Sequence, residues 1–503
     1  MNPVLYLLIL IPVVAAAACL LNVAPRRVSL IASGANLAVS LGLLFAFQSG
    51  TAERFQFLAS FDVVKALDLK MLVGLDGLGL MMVLLATIVT LCAVQLAPRV
   101  ESGEGGFYAC LLFISAGCIG AFVSLDLFFF YAFHELALIP TFLLIGIWGH
   151  GERVAAAWKI TIYLAIGSFV LLLGFIALYL AVPAADRTFD IIKLQGLAAA
   201  GKIAAGVQKP IFLLMLVGFG TLISLFPFHT WAPQGYAAAP TPAAMLHAGV
   251  LKKFGLFGLL RVAYPLLPVG AAECNNLLLL LLLGNILYVG LVTIAQKRLD
   301  LTLGYSSVMH MGYIFLGLAS MNIIGQTGAA LLLFAHGLSV AALFAIMGEI
   351  RTRTGTTNFD ELGGLAKTSP FLALTFGMAM FASIGLPGFA NFAAEILVFF
   401  GAFGKDATNF KGGLSFTSIQ WATIGALWGV VISSVYMLRA YRNVFFGPLP
   451  DKFRDQTDAG IGTRWPLVVL LTALLIVGFY PASLVKLVQP SLAAPPVTKV
   501  AQK

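Results

Sequence analysis

The sequence predicts an all-α polytopic membrane protein of about fourteen spans, built as two inverted five-helix repeats whose seventh and twelfth helices are broken. Three observations carry this. Of 503 residues, 60% are hydrophobic and only 10% charged, far from the balance of a soluble domain. Apolar runs of about 20 residues, the length a helix needs to cross the hydrocarbon core, recur along almost the whole chain. Two of those runs are interrupted by proline motifs, FPFHTWAPQG at 226–235 with Pro227 and GLPGFANF at 385–392 with Pro387.

In chain order the runs fall near residues 3–23, 28–47, 74–97, 107–124, 126–148, 155–182, 210–230, 240–262, 275–295, 301–320, 325–349, 369–403, 417–438 and 464–486. The first lacks a basic leader and a cleavage site, so it reads as a retained helix. Proline and glycine inside a span free backbone carbonyls, which is tolerated only where protein or water satisfies them. Matched breaks in two halves suggest a repeat with ion sites near them; two ordinary proline kinks are the plain alternative. The organisation expected is three N-terminal helices in 1–106, a first repeat in 107–262, a second in 275–440, and a last helix with its tail in 441–503.

Loops after odd-numbered spans hold most of the arginines, including Arg26, Arg27, Arg99, Arg153, Arg298, Arg351, Arg353, Arg439 and Arg442. The positive-inside rule makes those loops cytoplasmic and puts both termini on the outer, periplasmic face of what reads as a bacterial inner membrane. The net charge of +9 is thus topology information, and no nucleic-acid partner is expected. Cys19, Cys92, Cys110, Cys118 and Cys274 have no metal-ligand spacing and suggest no disulfide framework. No glycine loop that cradles phosphate and no iron–sulfur cysteine cluster is present. The chain therefore offers no redox centre, and energy for transport must come from partners or an ion gradient.

A row of titratable residues lies at mid-span. Glu135 sits within LDLFFFYAFHELALIPTFLLIGIWG, residues 125–149, with no basic residue in that run. An ionised carboxylate at bilayer centre costs roughly 2.5–3.5 kcal/mol on insertion scales, so it needs a partner, a proton or water. Asp126, at the end of that span, reads equally as a solvated cap or a functional group. His134 reads as an interhelical donor or a proton-bearing neighbour. Lys253 lies halfway along PTPAAMLHAGVLKKFGLFGLLRV, with Gly249 on its face leaving room for a helix or water. Burial penalises a charged amine, so a lysine there can release as well as bind a proton. Lys252 is rotated by about 100° from it and reads as the lesser of the two. Arg261 ends the span and reads as a headgroup contact. His310 and His336 stand on consecutive spans, and histidine titrates near physiological pH. Glu395 follows the second break, with Asn391 and Gly388 on its face. Lys159 is ambiguous, a snorkelling residue or a partner for Glu135.

These motifs resemble those of the antiporter-like membrane subunits of respiratory complex I, of the M-chain or subunit 4 type, over roughly residues 70–485. FHELALIPTFLLIGIWG, HAGVLKKFGLFGLLR, GYSSVMHMG, AHGLSVAALF and GLPGFANFAAEILVFFGAF carry the resemblance. It implies that Glu135, Lys253, His310, His336 and Glu395 transfer protons, the glutamate at 395 marking the M type. It further implies a place in the membrane arm of an NADH-quinone oxidoreductase, beside other membrane-arm subunits. NADH, FMN, iron–sulfur clusters and quinone would be held only by partner subunits. Redox energy from quinone reduction elsewhere would drive the protons.

Three departures mark a divergent paralogue. The resembling chains carry a lysine seven residues before the histidine of the PFHTW-like motif; here it is Leu222. Their aspartate after the WLP-like stretch is Gln234, and their D-x-K before the YSS motif is Arg298-Leu299-Asp300. Glu135 thus lacks its expected cation. Two other classes stay open: a subunit of a Mrp-type cation/proton antiporter, membrane hydrogenase or bicarbonate-uptake complex, and a structural spacer that no longer pumps.

Overall fold

A computed structural model describes residues 3–51, 53–64, 68–404 and 416–493. The far end of the predicted C-terminal tail lies outside the described residues. Two helices open the chain, α1 (Val4–Leu20) and α2 (Pro25–Ala46). A hairpin follows, β1 (Gln56–Val64) paired antiparallel with β2 (Leu69–Leu75). Then come α3 (Gly77–Gln95), α4 (Glu104–Val123), α5 (Leu127–Trp148), α6 (Arg153–Ala181), α7 (Ile191–Ala199), α8 (Ala205–Ile223) and α9 (Trp231–Ala238). The second half holds α10 (Thr241–Leu266), α11 (Pro268–Ile294), α12 (Leu299–Ala319), α13 (Ile323–Thr354), α14 (Pro370–Ile384), α15 (Ala390–Gly404), α16 (Ser418–Phe445), α17 (Ile461–Phe479) and α18 (Ala482–Leu492). Eleven of these are long and apolar enough to cross a membrane.

The expectation of helices alone missed three elements. The hairpin forms because the Phe and Val residues of QFLASFDVV suit a pleated, half-buried surface and pair along the apolar LKMLVGL. Short α7 starts at Asp190, whose side chain accepts the backbone N–H groups of Ile192 and Lys193. The run read as 464–486 stops at Phe479, and a separate helix, α18, begins at Ala482, just past Pro481.

Both predicted interruptions are real breaks. The run at 210–230 is α8, a non-helical stretch at 224–230, then α9; the run at 369–403 is α14, a turn at 385–389, then α15. The freed backbone groups are satisfied inside the protein, as a dry interior requires. At the first break Asn285 accepts from the N–H of Phe226 at 2.7 Å and donates to the carbonyls of Ser224 and Val308, each at 3.0 Å. Trp231 Nε1 donates to the Thr221 carbonyl at 3.0 Å.

Helices α10 and α13 are enclosed along their length, whereas α5, α6, α11 and α16 turn half their surface outward with Ile, Leu, Phe and Trp. The two enclosed helices meet at glycines. A Cβ on Gly337 would lie 2.7 Å from the Gly249 carbonyl oxygen, and one on Gly249 would lie 3.0 Å from that of Gly337. Larger residues would hold the backbones apart. Helix α10 also contains π-turns at His247–Leu251 and Leu259–Ala263, features that often accompany function.

Candidate functional site: a buried row of titratable side chains

The row starts where α10 and α13 touch. Lys253 is fully buried, and its Nζ lies 2.8 Å from His336 Nδ1 and 3.1 Å from the Ala248 carbonyl. The π-turn just before it resets the helical phase and leaves the Ala248 carbonyl within reach of the amine. His336 faces His310 with ring centroids 5.6 Å apart. His310 is held between two carbonyls, Nδ1 at 2.8 Å from Ser306 O and Nε2 at 2.8 Å from Ser383 O. Ser383 is in the last turn of α14, where carbonyls lose their intrahelical partners. The second break therefore positions a histidine.

Past His310 the polar groups continue toward Glu395. Ser306 Oγ lies 2.9 Å from Tyr436 Oη and 3.5 Å from His310 Nδ1. The Tyr313 ring is 5.8 Å from that of His310. Both tyrosines lie near Glu395, which is buried and whose Oε1 has no hydrogen-bond partner among the described residues. Its Oε2 occupies the space a Cβ on Gly385 would need, and Gly385 has φ +83°. Only glycine meets both conditions without strain. Asn391 donates to Ser339 Oγ at 3.4 Å, beside the His336 carbonyl.

Lys253, His336, His310 and Glu395 thus share one connected interior. Glu135 does not join them directly. Its side chain is 38% exposed on the outward face of α5 and α6, where it accepts from Ser168 and bonds Tyr131, with His134 Nδ1 3.5 Å away. His134 is buried and stacks on Phe254, the residue after Lys253, with centroids 4.2 Å apart.

Several expectations change. Lys159 donates to Gln234 at 2.8 Å, so it does not pair with Glu135. Asp126 caps α5, accepting the N–H groups of Phe128 and Phe129 at 2.9 and 3.1 Å. Lys252, read as the lesser of the two lysines, is as buried as Lys253. Arg261 is not at the headgroups but forms a buried two-pronged ion pair with Asp76, 2.5 Å on each arm, flanked by Phe257 and Phe55. The reversed Arg298-Leu299-Asp300 is also built in: buried Asp300 takes Arg298 at 2.6 Å and Arg351 at 2.8 Å. Pro227 and Pro387 lie in the breaks as expected.

Residues 124–419 match the family described as "NADH:quinone oxidoreductase/Mrp antiporter, TM". The chain belongs to that family. Among relatives, NADH-quinone oxidoreductase subunit M of Rhodobacter capsulatus is 33% identical over 475 residues, covering 93% of this chain and 90% of that one. F(420)H(2) dehydrogenase subunit M of Methanosarcina mazei is 34% identical over 491 residues, covering 96% of each. A chain of respiratory complex I from Thermus thermophilus with bound NADH superposes with a TM-score of 0.86 at 27% identity, covering 98% of this chain and 99% of that one. The antiporter/oxidoreductase family thus accounts for the architecture that encloses the row: a mostly helical, integral membrane chain with broken helices.

Three contributors to the row were not singled out in the sequence: Ser306, Tyr313 and Tyr436. The first two stand four before and three after His310, on its own helical face, so spacing alone would have found them. Tyr436 comes from α16 and carries no such mark.

Proposed function

We propose that the chain is a proton-translocating subunit in the membrane arm of a quinone-reducing, complex-I-type assembly, and that protons pass along Lys253, His336, His310 and Glu395. The observation that carries this is the 2.8 Å contact between Lys253 Nζ and His336 Nδ1, inside a core where neither has a carboxylate neighbour. Two nitrogen bases at that separation share a proton rather than hold one each, and a proton leaving Lys253 has His336 as its acceptor. From His336 the next base is His310, and Tyr436, Ser306 and Tyr313 line the way to Glu395. The positive-inside rule supports a Lys253 side facing the cytoplasm, in a bacterial inner membrane, with both termini outside. Two inverted repeats would each supply one broken helix to it.

The catalysis of the whole assembly, NADH oxidation and quinone reduction, would belong to partner subunits holding NADH, FMN, iron–sulfur clusters and quinone. Glu135 supports the partner assignment. A half-exposed carboxylate on an apolar outward face is costly against lipid, and a neighbouring membrane-arm subunit packed on α5 and α6 would cover it. The family also includes Mrp antiporters, and Leu222 in place of the expected lysine keeps open a subunit whose coupling differs from that of its relatives.

The test is Lys253→Met in the intact assembly, isolated, identified by its subunits and reconstituted in vesicles. Proton uptake per electron should fall while the complex still assembles. Unchanged stoichiometry would remove the proposal.

A further inference from the structure

Lys252 is the unexplained charge in this interior. Its side chain is fully buried, yet among the described residues its polar contacts are only the Ser307 carbonyl at 3.4 Å and hydroxyl at 3.5 Å, with its Nζ 5.7 Å from the centre of the Tyr236 ring. No carboxylate among the described residues offsets it. A buried cation without a counter-charge is strongly destabilising, so an amine with no transport role would be expected to give way to an apolar residue here. Its chain neighbour is Lys253, and the two point apart, one to α12 and the other to His336 on α13. The other titratable groups beside this pair are Tyr236 and four histidines, His229 beside the first break, His247, His310 and His336, none of which carries a negative counter-charge in its neutral form.

Lys252 also lies on the way to the surface. His247 rests against Tyr236 at 5.5 Å and Trp231 at 5.6 Å, and neither of its ring nitrogens has a protein partner; nor does Tyr236 Oη. Just outside lies a cavity of about 1110 Å³ on the side of the basic loops. Gln234, Ala237, Thr241, Tyr305 and Ala345 line it, residues of the same helices that carry Tyr236, Lys252, Ser307 and Phe344. Lys252 reaches that wall through Tyr236, whose ring lies 5.7 Å from its Nζ and whose chain neighbour Ala237 lines the cavity.

We propose that Lys252 is a second proton-binding amine, loaded from this cavity, whose charge drives the proton of Lys253 onto His336. This rests on the reading of Lys253 and His336 as a transfer pair. The balance is simple. Neutral Lys252 takes a proton from water in the cavity. Two adjacent buried ammonium groups repel strongly, so Lys253 releases its proton to His336 Nδ1 and becomes neutral. Lys252 then swings on its flexible four-carbon stem from Ser307 toward Lys253, gives it the proton and is neutral again. The step needs no oxidant, only the proton supply on that side. It also gives the departure at position 222 a physical sense: the cation that modulates the central lysine stands on α10 itself rather than on α8.

The experiment measures protons moved per electron in the reconstituted assembly for Lys252→Met, Lys252→Arg and Lys252→His, with Lys253→Met as reference. Methionine removes the charge; arginine keeps it but cannot release its proton. Both should slow proton transport by about a hundredfold, the low end for loss of a positioned proton-transfer group. Histidine, which binds and releases protons near neutral pH, should recover part of it. Normal transport in Lys252→Met or in Lys252→Arg, with Lys253→Met impaired, would overturn this proposal alone. Normal transport in Lys253→Met would instead overturn the reading of the pair. If Lys252→Met does not assemble, the arginine and histidine variants decide: arginine impaired with histidine active supports the carrier, and arginine active sinks it.

Discussion

Gly249 and Gly337 let α10 and α13 touch backbone to backbone, and that contact sets the distance between Lys253 and His336. His336 precedes Gly337 directly, and Lys253 follows Gly249 by one helical turn, so the crossing and the pair are one structural unit. Any residue with a Cβ at either position must push the helices apart.

Gly337→Ala should therefore act twice. The added methyl meets the Gly249 carbonyl and the side chain of Leu85, and overpacking of this kind costs roughly 1–3 kcal/mol. A lower thermal midpoint of the purified assembly measures that part. The widened Lys253–His336 gap should also slow proton transfer more than the stability loss explains. Transport at a temperature where the variant is fully folded separates the two effects. A variant that is destabilised but transports normally would show that the glycine contact serves packing only.

Asp76 and Arg261 tie the start of α3 to the end of α10 at the side opposite the cavity, and Arg54 adds a third charge at 3.6 Å. Breaking a buried pair by removing one partner costs about 3–5 kcal/mol, because the other charge is left uncompensated. Arg261→Met should thus sharply reduce the yield of folded chain. Arg261→Met combined with Asp76→Asn should be milder than Arg261→Met alone. A double variant that is worse by the sum of both losses would mean that the two side chains act separately.

The orientation can be tested on loops described by the structure. Thr356 follows α13 in a basic loop, and Thr51 precedes the hairpin on the other side. With the cytoplasm on the arginine-rich side, cysteine at 51 should react with an impermeant thiol reagent in intact cells and cysteine at 356 should not. The five native cysteines are buried and should contribute little background. The opposite labelling pattern would invert the topology and the direction assigned to the proton route.

Hydropathy made the helices legible because a bilayer demands long apolar runs whatever the tertiary fold. Lys253, His310, His336 and Glu395 were legible for the same reason: polar atoms in such runs are costly and stand out. What could not be read was pairing. Arg261 looked like a headgroup residue because its partner, Asp76, is far away in sequence and belongs to the hairpin's end. Lys252 looked redundant because ideal helical phase was assumed, whereas π-turns shift the register of α10 on both sides of it. Glu135 looked central because depth in a span is visible in sequence, but which way a helix face points is not.

The last prediction concerns Glu135 and the position expected to neutralise it. Leu222 is buried in α8, and its neighbour Thr221 fits against Gly167, beside the Ser168 that donates to Glu135. The carboxylate rests on Ser168, Tyr131 and His134 in place of a lysine. Glu135→Gln keeps the shape and can accept the same hydroxyl bonds, so it should lower proton transport only modestly. Leu222→Lys would place a cation near α6, and its charge should be compensated by Glu135. Adding Glu135→Gln to Leu222→Lys then leaves a buried lysine without its counter-charge, which should cost about 3–5 kcal/mol and appear as poor assembly. The four proteins form a double-mutant cycle read on assembly and on protons per electron. A coupling of at least about 1 kcal/mol is expected. Strict additivity would show that positions 135 and 222 do not communicate, and the loss of the lysine at 222 would then have no bearing on Glu135.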